Sequence, residues 1–137
     1  MMKVFIDTNV LIDLLLKREG YQEAASILLC QKERKCSLWL SSLTMANVAY
    51  ILRKKIKGEE LYNALDKLKI FFNIVDLTAG NVESALKLRA NDFEDALQYF
   101  SANNVQADVI VTRNEKDFCF SAIKVVSPKY FLEEYIK

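Results

Sequence analysis

The sequence predicts an α/β protein: a single three-layer α/β/α domain built on a parallel five-stranded sheet. Five short apolar runs alternate along the chain with longer segments of helical periodicity. Strands separated by helical crossovers pair in parallel, and the crossovers place helices on both faces of the sheet. With 52% hydrophobic residues, one Pro and three Gly among 137 residues, the chain has enough apolar material for a core and no flexible linker.

Each element has a local signal in the sequence. Strands are predicted where apolar runs are short enough for a covered parallel sheet, at residues 3–6, 37–40, 73–76, 108–111 and 123–126. Helices are predicted over the periodic segments between them, at residues 8–16, 20–35, 43–57, 59–72, 78–90, 93–103 and 128–136. Gly20, Gly58 and Gly80 punctuate these periods, and Pro128 suits the first position of the last helix.

The residue types that are missing restrict the chemistry. The chain has no histidine, which excludes imidazole as a general base, as a zinc ligand and as a member of a nucleophilic triad. Its three cysteines have no metal-ligand spacing, and no basic leader precedes the first strand, so we expect a cytoplasmic protein. No apolar run approaches the ~20 residues that cross a bilayer, so we expect no membrane partner. Hydrolysis would therefore depend on carboxylates and a hard metal ion.

Acidic side chains come near the ends of predicted elements. Asp7 follows the apolar run Val4–Ile6 directly, and open α/β sheets place their ligands at such carboxyl ends. Since these ends share one edge, Asp7 would lie near residues 112–118, and Asp95 would join them if its helix begins there. The charge of Asp7 is costly to bury unless it is paired or metal-bound. We therefore predict a metal-dependent site at this edge.

Two further acids, Asp92 and Asp117, also have purely structural interpretations. Asp92 with Asp95 three residues later is typical of a helix start, where a cap and a third-position acid satisfy free backbone donors. For Asp92 we favour the cap. Asp117, before Phe118, would either cap a short turn or belong to the site, and the sequence leaves both interpretations open.

Charge is distributed unevenly although the net charge is only +1. Later acids gather around Asp92–Asp95, whereas a basic cluster follows residue 52. The basic cluster consists of Arg53, Lys54, Lys55 and Lys57. It would hold a polyanion such as RNA on one side of the molecule, or it would be a solvated helix end that the helix dipole favours.

Four segments occur in an order and spacing that resemble the PIN domain family. They are FIDTNVLID at residues 5–13, SSLT at 41–44, DFEDALQ at 92–98 and DVIVTRNEKDF at 108–118. Each segment is weak alone, but the four in sequence span nearly the whole chain and form a specific signal. The resemblance implies a small α/β/α domain with a parallel sheet.

The resemblance also implies an activity. PIN domains are usually Mg²⁺- or Mn²⁺-dependent ribonucleases, and often the toxin of a VapC-like toxin–antitoxin pair. By motif match, Asp7 would be the first metal-binding and catalytic acid, Asp95 the third and Asp117 the fourth. The residues that would support this site are Asn9, Asn47, Asp92, Thr112 and Asn114. A bound metal ion would activate water and neutralise charge at phosphorus.

The second acidic position departs from the family pattern. Many members carry a glutamate in the helix after S-x-L-T, whereas this chain has Asn47. An amide oxygen brings no charge and cannot accept a proton, so metal affinity and turnover would be lower. The register of Asn47 with the apolar Leu43, Ala46 and Tyr50 indicates that it faces inward.

Three classes of function follow. The first is a metal-dependent endoribonuclease whose RNA is held by the basic cluster and Arg113. The second is a lapsed nuclease retained as an RNA- or protein-binding module. The third is a phosphoryl-transfer or receiver domain, and the sequence disfavours it. A phosphatase of this kind needs a second acid at the position of Asn9, and a receiver needs an acidic pair before Asp7, whereas Met1–Lys3 contains no acid.

The resemblance implies partners as well: RNA, a small antitoxin protein and a second copy of the chain in a homodimer. The aromatic residues that such a protein surface would use are Tyr50, Tyr62, Phe71 and Phe72. Their helical spacing favours ordinary packing between helices instead. The RNA target has no readable code in the sequence.

Overall fold

The computed structural model describes residues 1–136, which contain one five-stranded sheet. Its strands are β1 (Met2–Ile6), β2 (Cys36–Ser41), β3 (Asn73–Val75), β4 (Val109–Val111) and β5 (Lys124–Val126). They are arranged in the order β3-β2-β1-β4-β5, and all neighbouring strands are parallel. The predicted sheet is confirmed.

Seven α-helices are found in the described part of the chain. They are α1 (Thr8–Leu15), α2 (Tyr21–Lys32), α3 (Ser42–Leu52), α4 (Gly58–Phe71), α5 (Ala79–Leu88), α6 (Phe93–Asn104) and α7 (Pro128–Tyr135). A short 3₁₀ helix, Glu115–Phe118, follows β4. None of the helices within residues 1–136 is long and apolar enough to span a membrane.

Both faces of the sheet are covered, because successive residues of a strand point to opposite sides. Val4 and Ile6 of β1 lie in a core with side chains of α1, α2, α3, α4 and α7. Phe5, between them, packs on the other face with Tyr99 of α6 and Phe118 of the 3₁₀ helix. Helix α5 packs on α6 and completes this second helical layer. The predicted three-layer α/β/α arrangement is confirmed.

The strand register brings polar residues to one edge of the sheet. Ile6 of β1 pairs with Val111 of β4. The backbone N–H of Asp7 then donates to the carbonyl of Val111 at 3.0 Å, which extends the ladder by one residue. Asp7 and Thr112 therefore leave neighbouring strands side by side. On the other side of β1, strand β2 ends at Ser41.

The helix predicted at residues 43–57 is shorter in the structure, since α3 ends at Leu52 and α4 begins at Gly58. Arg and Lys favour helices intrinsically, so their run conceals the turn that reverses the chain. Gly58 has a φ of 59°, a left-handed conformation that glycine adopts without strain. The basic cluster therefore lies in the connection between α3 and α4.

The interpretation of Tyr50 and Tyr62 as packed helix residues is wrong, because they are 60% and 64% exposed. Helix α3 directs Val48 and Leu52 into the core, which leaves Tyr50 on its outer side. Phe72 is the one residue of the predicted aromatic set that is buried. These exposed aromatic side chains would be available to a homodimer interface, and the homodimer stays a prediction.

Candidate active site

Asp7 is the N-terminal cap of α1 at the end of β1, and it is only 5% exposed. Its Oδ1 accepts a hydrogen bond from the backbone N–H of Thr8 at 2.9 Å. Its Oδ2 accepts from Thr112 Oγ1 at 2.8 Å and from Asn9 Nδ2 at 3.2 Å. All three donors are neutral, so they orient the carboxylate without neutralising its charge.

Thr112 also orders the loop that carries Asp117. Its Oγ1 accepts a hydrogen bond from the backbone N–H of Asn114 at 3.1 Å. The carbonyl of Asn114 in turn accepts from the N–H of Asp117 at 3.0 Å, and the buried Phe118 anchors the 3₁₀ helix in the core. The loop is thus tied to Asp7, while Asp117 itself is exposed within a short turn.

A cavity opens at this edge of the sheet, and we call it the acidic cavity. Its charged and amide-bearing lining residues are Asp7, Asn9, Arg18, Glu94, Asp95 and Arg113. Ile12 of α1 and Ile51 of α3 also line it. The structure therefore brings Asp7 and Asp95 together. It adds Arg18 and Glu94, which sequence reasoning did not assign to the site.

Asp92 and Asp117 lie in a separate cavity with Lys116. Asp92 caps α6, because its Oδ1 accepts a hydrogen bond from the backbone N–H of Asp95 at 3.0 Å. The cap interpretation of Asp92 is confirmed. This cap fixes the first turn of α6, from which Glu94 and Asp95 reach the acidic cavity.

Burial and neighbouring charge raise the pKa of three carboxyl groups. Burial is the largest cause for Asp7, and the charges of Asp117 and Asp92 add to it. Burial, followed by the charges of Asp7, Asp92, Asp117 and Glu94, raises the pKa of Asp95 to about 7. The pKa of Glu94 is raised by burial and by the charges of Asp92 and Asp7. No lysine or arginine of the described chain forms an ion pair with any of these acids. The site therefore carries negative charge that lacks a partner.

These residues fit a hard divalent cation such as Mg²⁺ or Mn²⁺. The carboxylates and the amide of the acidic cavity offer oxygen ligands, and Asp7 is buried without a positive partner. Among residues 1–136, no three acidic or cysteine side chains converge into a complete metal cage. Mg²⁺ does not require one, since it keeps several waters and is usually held by one or two carboxylates.

A buried glutamine, Gln98 of α6, connects the helices around the site and is 1% exposed. Its Oε1 accepts a hydrogen bond from Ser41 Oγ at 2.9 Å, and its Nε2 donates to Thr8 Oγ1 at 3.1 Å. Its Nε2 also lies 3.0 Å from Thr44 Oγ1. These bonds set α6, and with it Asp95, against the starts of α1 and α3. The sequence does contain a signal for Gln98: it is a polar side chain, three residues after Asp95, within a run that is otherwise buried.

Asn47 reaches the same region from α3. Its Nδ2 donates a hydrogen bond to Glu94 Oε1 at 2.8 Å. The register argument for Asn47 is wrong in its premise, because Ala46 and Tyr50 are exposed. Asn47 is nevertheless half-buried, and it faces α6 and not the core of the domain.

Arg113, in the loop after β4, has a buried ionic partner. Its Nε lies 2.8 Å from Oδ2 of Asp13, a residue of α1 that is 2% exposed. Burial raises the pKa of Asp13, and the charges of Arg113 and Arg18 oppose this shift. The ion pair uses Nε and leaves the terminal guanidinium nitrogens available to a ligand. An aspartate within the buried run Val10–Asp13 was the sequence signal for such a pair.

The basic cluster does not line the acidic cavity. Arg53, Lys54 and Lys55 are exposed, and the Arg53 guanidinium lies 4.2 Å from the ring centroid of Tyr50. The positive charges at the acidic cavity come from Arg18 and Arg113. The four residues of the basic cluster stay a prediction as RNA contacts.

The family model of the PIN domain matches the sequence over residues 3–116. No curated protein matches the sequence significantly.

Solved structures of toxin–antitoxin systems share the fold. VapBC2 from Rickettsia felis, bound to a DNA fragment from its promoter, matches with a TM-score of 0.69 and 22% identity, covering 92% of this chain and 98% of that chain. A toxin–antitoxin complex from Klebsiella pneumoniae matches with a TM-score of 0.64 and 26% identity, covering 91% and 97%. VapC20 from Mycobacterium tuberculosis, a sarcin–ricin loop cleaving toxin, matches with a TM-score of 0.62 and 15% identity, covering 78% and 86%.

The raised pKa of Asp95 predicts how stability depends on pH without metal. Its folded pKa of about 7 lies above the ordinary value of 3.8, so its stabilising effect is complete below pH 4 and is lost as pH rises through 7. Asp95→Asn is therefore expected to raise the melting temperature in EDTA most at pH 8, and to change it little at pH 4. Asp66→Asn, an exposed change on α4, is the control for both conditions. An unchanged or lower melting temperature of Asp95→Asn at pH 8 would show that burial and the neighbouring acids do not raise the pKa of Asp95 in the folded protein.

Proposed function

We propose that this chain, which belongs to the PIN domain family, is a divalent-metal-dependent endoribonuclease that hydrolyses RNA phosphodiester bonds. The observation that carries the proposal is the carboxylate of Asp7, which is 5% exposed and held by neutral donors alone. A buried charge of this kind needs either a proton or a cation. The acids around it raise its pKa and also concentrate negative charge that would attract a cation.

Asp7 and Asp95, which line the acidic cavity together, would hold the metal ion. Asp117 lines the separate cavity, and it would reach the ion only if its exposed side chain turned toward Asp7. When bound, Mg²⁺ or Mn²⁺ supplies Lewis acidity that lowers the pKa of water and offsets charge at phosphorus. Asn9 and Thr112 restrict the Asp7 carboxylate to one orientation through their hydrogen bonds to Oδ2. Two residues would thus bind the metal ion, and Asn9 and Thr112 would orient the Asp7 carboxylate toward it.

Arg18 and Arg113 would bind the phosphates that flank the scissile bond. Both line the acidic cavity, and the Arg113 side chain remains 45% exposed despite its ion pair with Asp13. A guanidinium anchored at Nε by a buried carboxylate is pre-oriented for a phosphate, because fewer rotamers are lost on binding. The basic cluster between α3 and α4 would provide a more distant RNA contact.

The toxin assignment is part of the same proposal. Its support is the likeness to the Klebsiella pneumoniae toxin–antitoxin complex and to VapBC2 from Rickettsia felis, which this chain matches over nearly their whole length. The partner would be a small antitoxin protein. VapC20, described as a sarcin–ricin loop cleaving toxin, supports RNA as the class of substrate.

Cleavage of RNA is the direct test of the activity. Purified protein is expected to cut single-stranded RNA when Mg²⁺ or Mn²⁺ is added and to stop cutting in EDTA. Asp7→Asn is expected to slow cutting by about 100-fold or more, because the amide removes the charge at the centre of the site. Gel-resolved time courses measure both effects, with Asp66→Asn as a control that keeps full activity. Unreduced cutting by Asp7→Asn would contradict the proposal, whereas RNA binding without cutting by the unmodified chain would favour the lapsed module.

Binding of metal-free protein to labelled single-stranded RNA tests the arginines. Arg18→Gln and Arg113→Gln are each expected to weaken binding and to reduce the slope of log K against log salt by about 0.7. Fluorescence anisotropy in EDTA at several salt concentrations measures the slope. Lys54→Gln represents the basic cluster, and Lys87→Gln on α5 is the exposed control. A larger loss in Lys54→Gln than in either arginine variant would place the main RNA surface outside the acidic cavity.

Expression in bacterial cells tests the toxin assignment. The unmodified chain is expected to arrest growth, and Asp7→Asn is expected not to, because arrest would follow from RNA cutting. Co-expression of a small protein encoded beside this gene is expected to restore growth and to co-purify with the chain. Normal growth during expression of soluble, unmodified chain would count against a toxin, while leaving the ribonuclease test above unaffected.

A further inference from the structure

A further cavity lies between the turn that joins α1 to α2 and the start of α7, and we call it the α7 cavity. The residues of its lining that matter below are Asp13, Gly20, Glu23, Arg113, Pro128 and Lys129. Its volume is about 350 Å³, within the range of about 300–1,000 Å³ that is typical of small-ligand sites. Arg113 lines both this cavity and the acidic cavity, so a strand bound at the acidic cavity would continue past Arg113 into the α7 cavity.

Asp13 brings to the α7 cavity a carboxylate oxygen that lacks a hydrogen bond. The residue is 2% exposed, and its Oδ2 is paired with Arg113 Nε. Its Oδ1 has no partner, and within residues 1–136 the only other buried side-chain oxygen or nitrogen of this kind is Ser101 Oγ. Because an unpaired buried acceptor destabilises the fold, such atoms are rare and call for an explanation. A ligand that donates a hydrogen bond to Oδ1 provides one.

Gly20 leaves room beside this carboxylate. Its φ is 93°, a left-handed conformation that other residues adopt only with strain. A Cβ built on Gly20 would lie 3.4 Å from Oδ2 of Asp13. The carboxylate therefore borders the space that a side chain at position 20 would fill, and this space belongs to the α7 cavity.

The positive groups of the α7 cavity suit a phosphate. Arg113 keeps its terminal guanidinium nitrogens for a ligand, and Lys129 is exposed and forms no ion pair within residues 1–136. Lys129 is also the second residue of α7, where the free N–H groups and the helix dipole favour an anion. Pro128 offers an apolar surface for a sugar ring, and the half-buried Glu23 offers a second acceptor.

We propose that the α7 cavity binds one ribonucleotide of the RNA strand, next to the part of the strand at the acidic cavity. Arg113 and Lys129 bind its phosphate, and Asp13 Oδ1 accepts a hydrogen bond from its 2′-hydroxyl. Since Oδ1 is covered in the free protein, the partly exposed Arg113 turns toward the phosphate as the nucleotide enters. This inference rests on the proposed ribonuclease function and adds a site that selects RNA over DNA, which lacks the 2′-hydroxyl.

Three labelled strands of one base sequence test the hydroxyl contact without any variant. They are single-stranded RNA, its 2′-fluoro analogue, which has no proton to donate at this position, and the 2′-deoxy strand. Fluorescence anisotropy in EDTA measures their binding to the unmodified full-length chain. RNA is expected to bind about tenfold more tightly than the other two strands, because each of them lacks a hydrogen bond to a charged acceptor.

Substitutions locate the two contacts. Asp13→Ala is expected to reduce the preference for RNA over the 2′-fluoro strand to within about twofold, because it removes the acceptor. Its effect on the position of Arg113 acts on both strands alike and leaves their ratio unchanged. Lys129→Gln is expected to weaken binding of both strands by about threefold, since both carry the phosphate. Lys87→Gln on α5 is the exposed control that changes neither, and melting temperatures check that each variant is folded.

Equal binding of RNA and the 2′-fluoro strand by the unmodified chain, or no binding of RNA, would overturn the inference and leave metal-dependent cutting to its own test. A preference for RNA that survives in folded Asp13→Ala would overturn the role of Asp13. Unchanged binding by Lys129→Gln would overturn the phosphate contact. A preference that depends on Asp13, in a chain that does not cut RNA with Mn²⁺, would support the nucleotide site and count against the ribonuclease.

Discussion

A carboxylate removed from water keeps its charge only if the protein replaces the lost hydration. For Asp7, part of the replacement comes from Thr8 and Asn9 on the helix that it caps and from Thr112 at the end of the neighbouring strand, while burial still raises its pKa. This requires β1 and β4 to be adjacent and in register, which the order β3-β2-β1-β4-β5 provides. Because these donors are neutral, one negative charge remains for a cation or a bound ligand.

The same edge of the sheet combines stable packing with local repulsion. Apolar cores on both faces hold the layers together, and Gln98 ties α6 to the starts of α1 and α3 with buried hydrogen bonds. Within this framework, Glu94 and Asp95 lie near Asp7. Their proximity lowers the free energy of unfolding of the metal-free protein, as the raised pKa of Asp95 indicates. Acids that repel one another are retained at sites where they serve chemistry. Arg113 lines the same cavity, but its ion pair is with Asp13 and not with these acids.

Much of the fold could be predicted because its signals are local. Apolar runs of three to six residues mark the strands, and Asp92 and Ser127 cap helices where short polar residues precede a periodic segment. The turn after Leu52 could not be predicted, because a run of Arg and Lys is compatible with a helix in isolation. The outward position of Tyr50 could not be predicted either, since rotation of α3 about its axis is set by how Val48 and Leu52 pack on the sheet.

By itself, the sequence determined the order of the elements and the kind of chemistry: oxygen ligands without histidine, with Asp7 at the end of a buried strand. Only the tertiary structure decided which charges meet. It placed Glu94 against Asn47, Asp13 against Arg113 and the basic cluster away from the acidic cavity. The physical reason is the separation along the chain over which each kind of signal acts. Periodicity and caps are encoded within a few residues, whereas contacts between distant helices depend on the packing of whole layers.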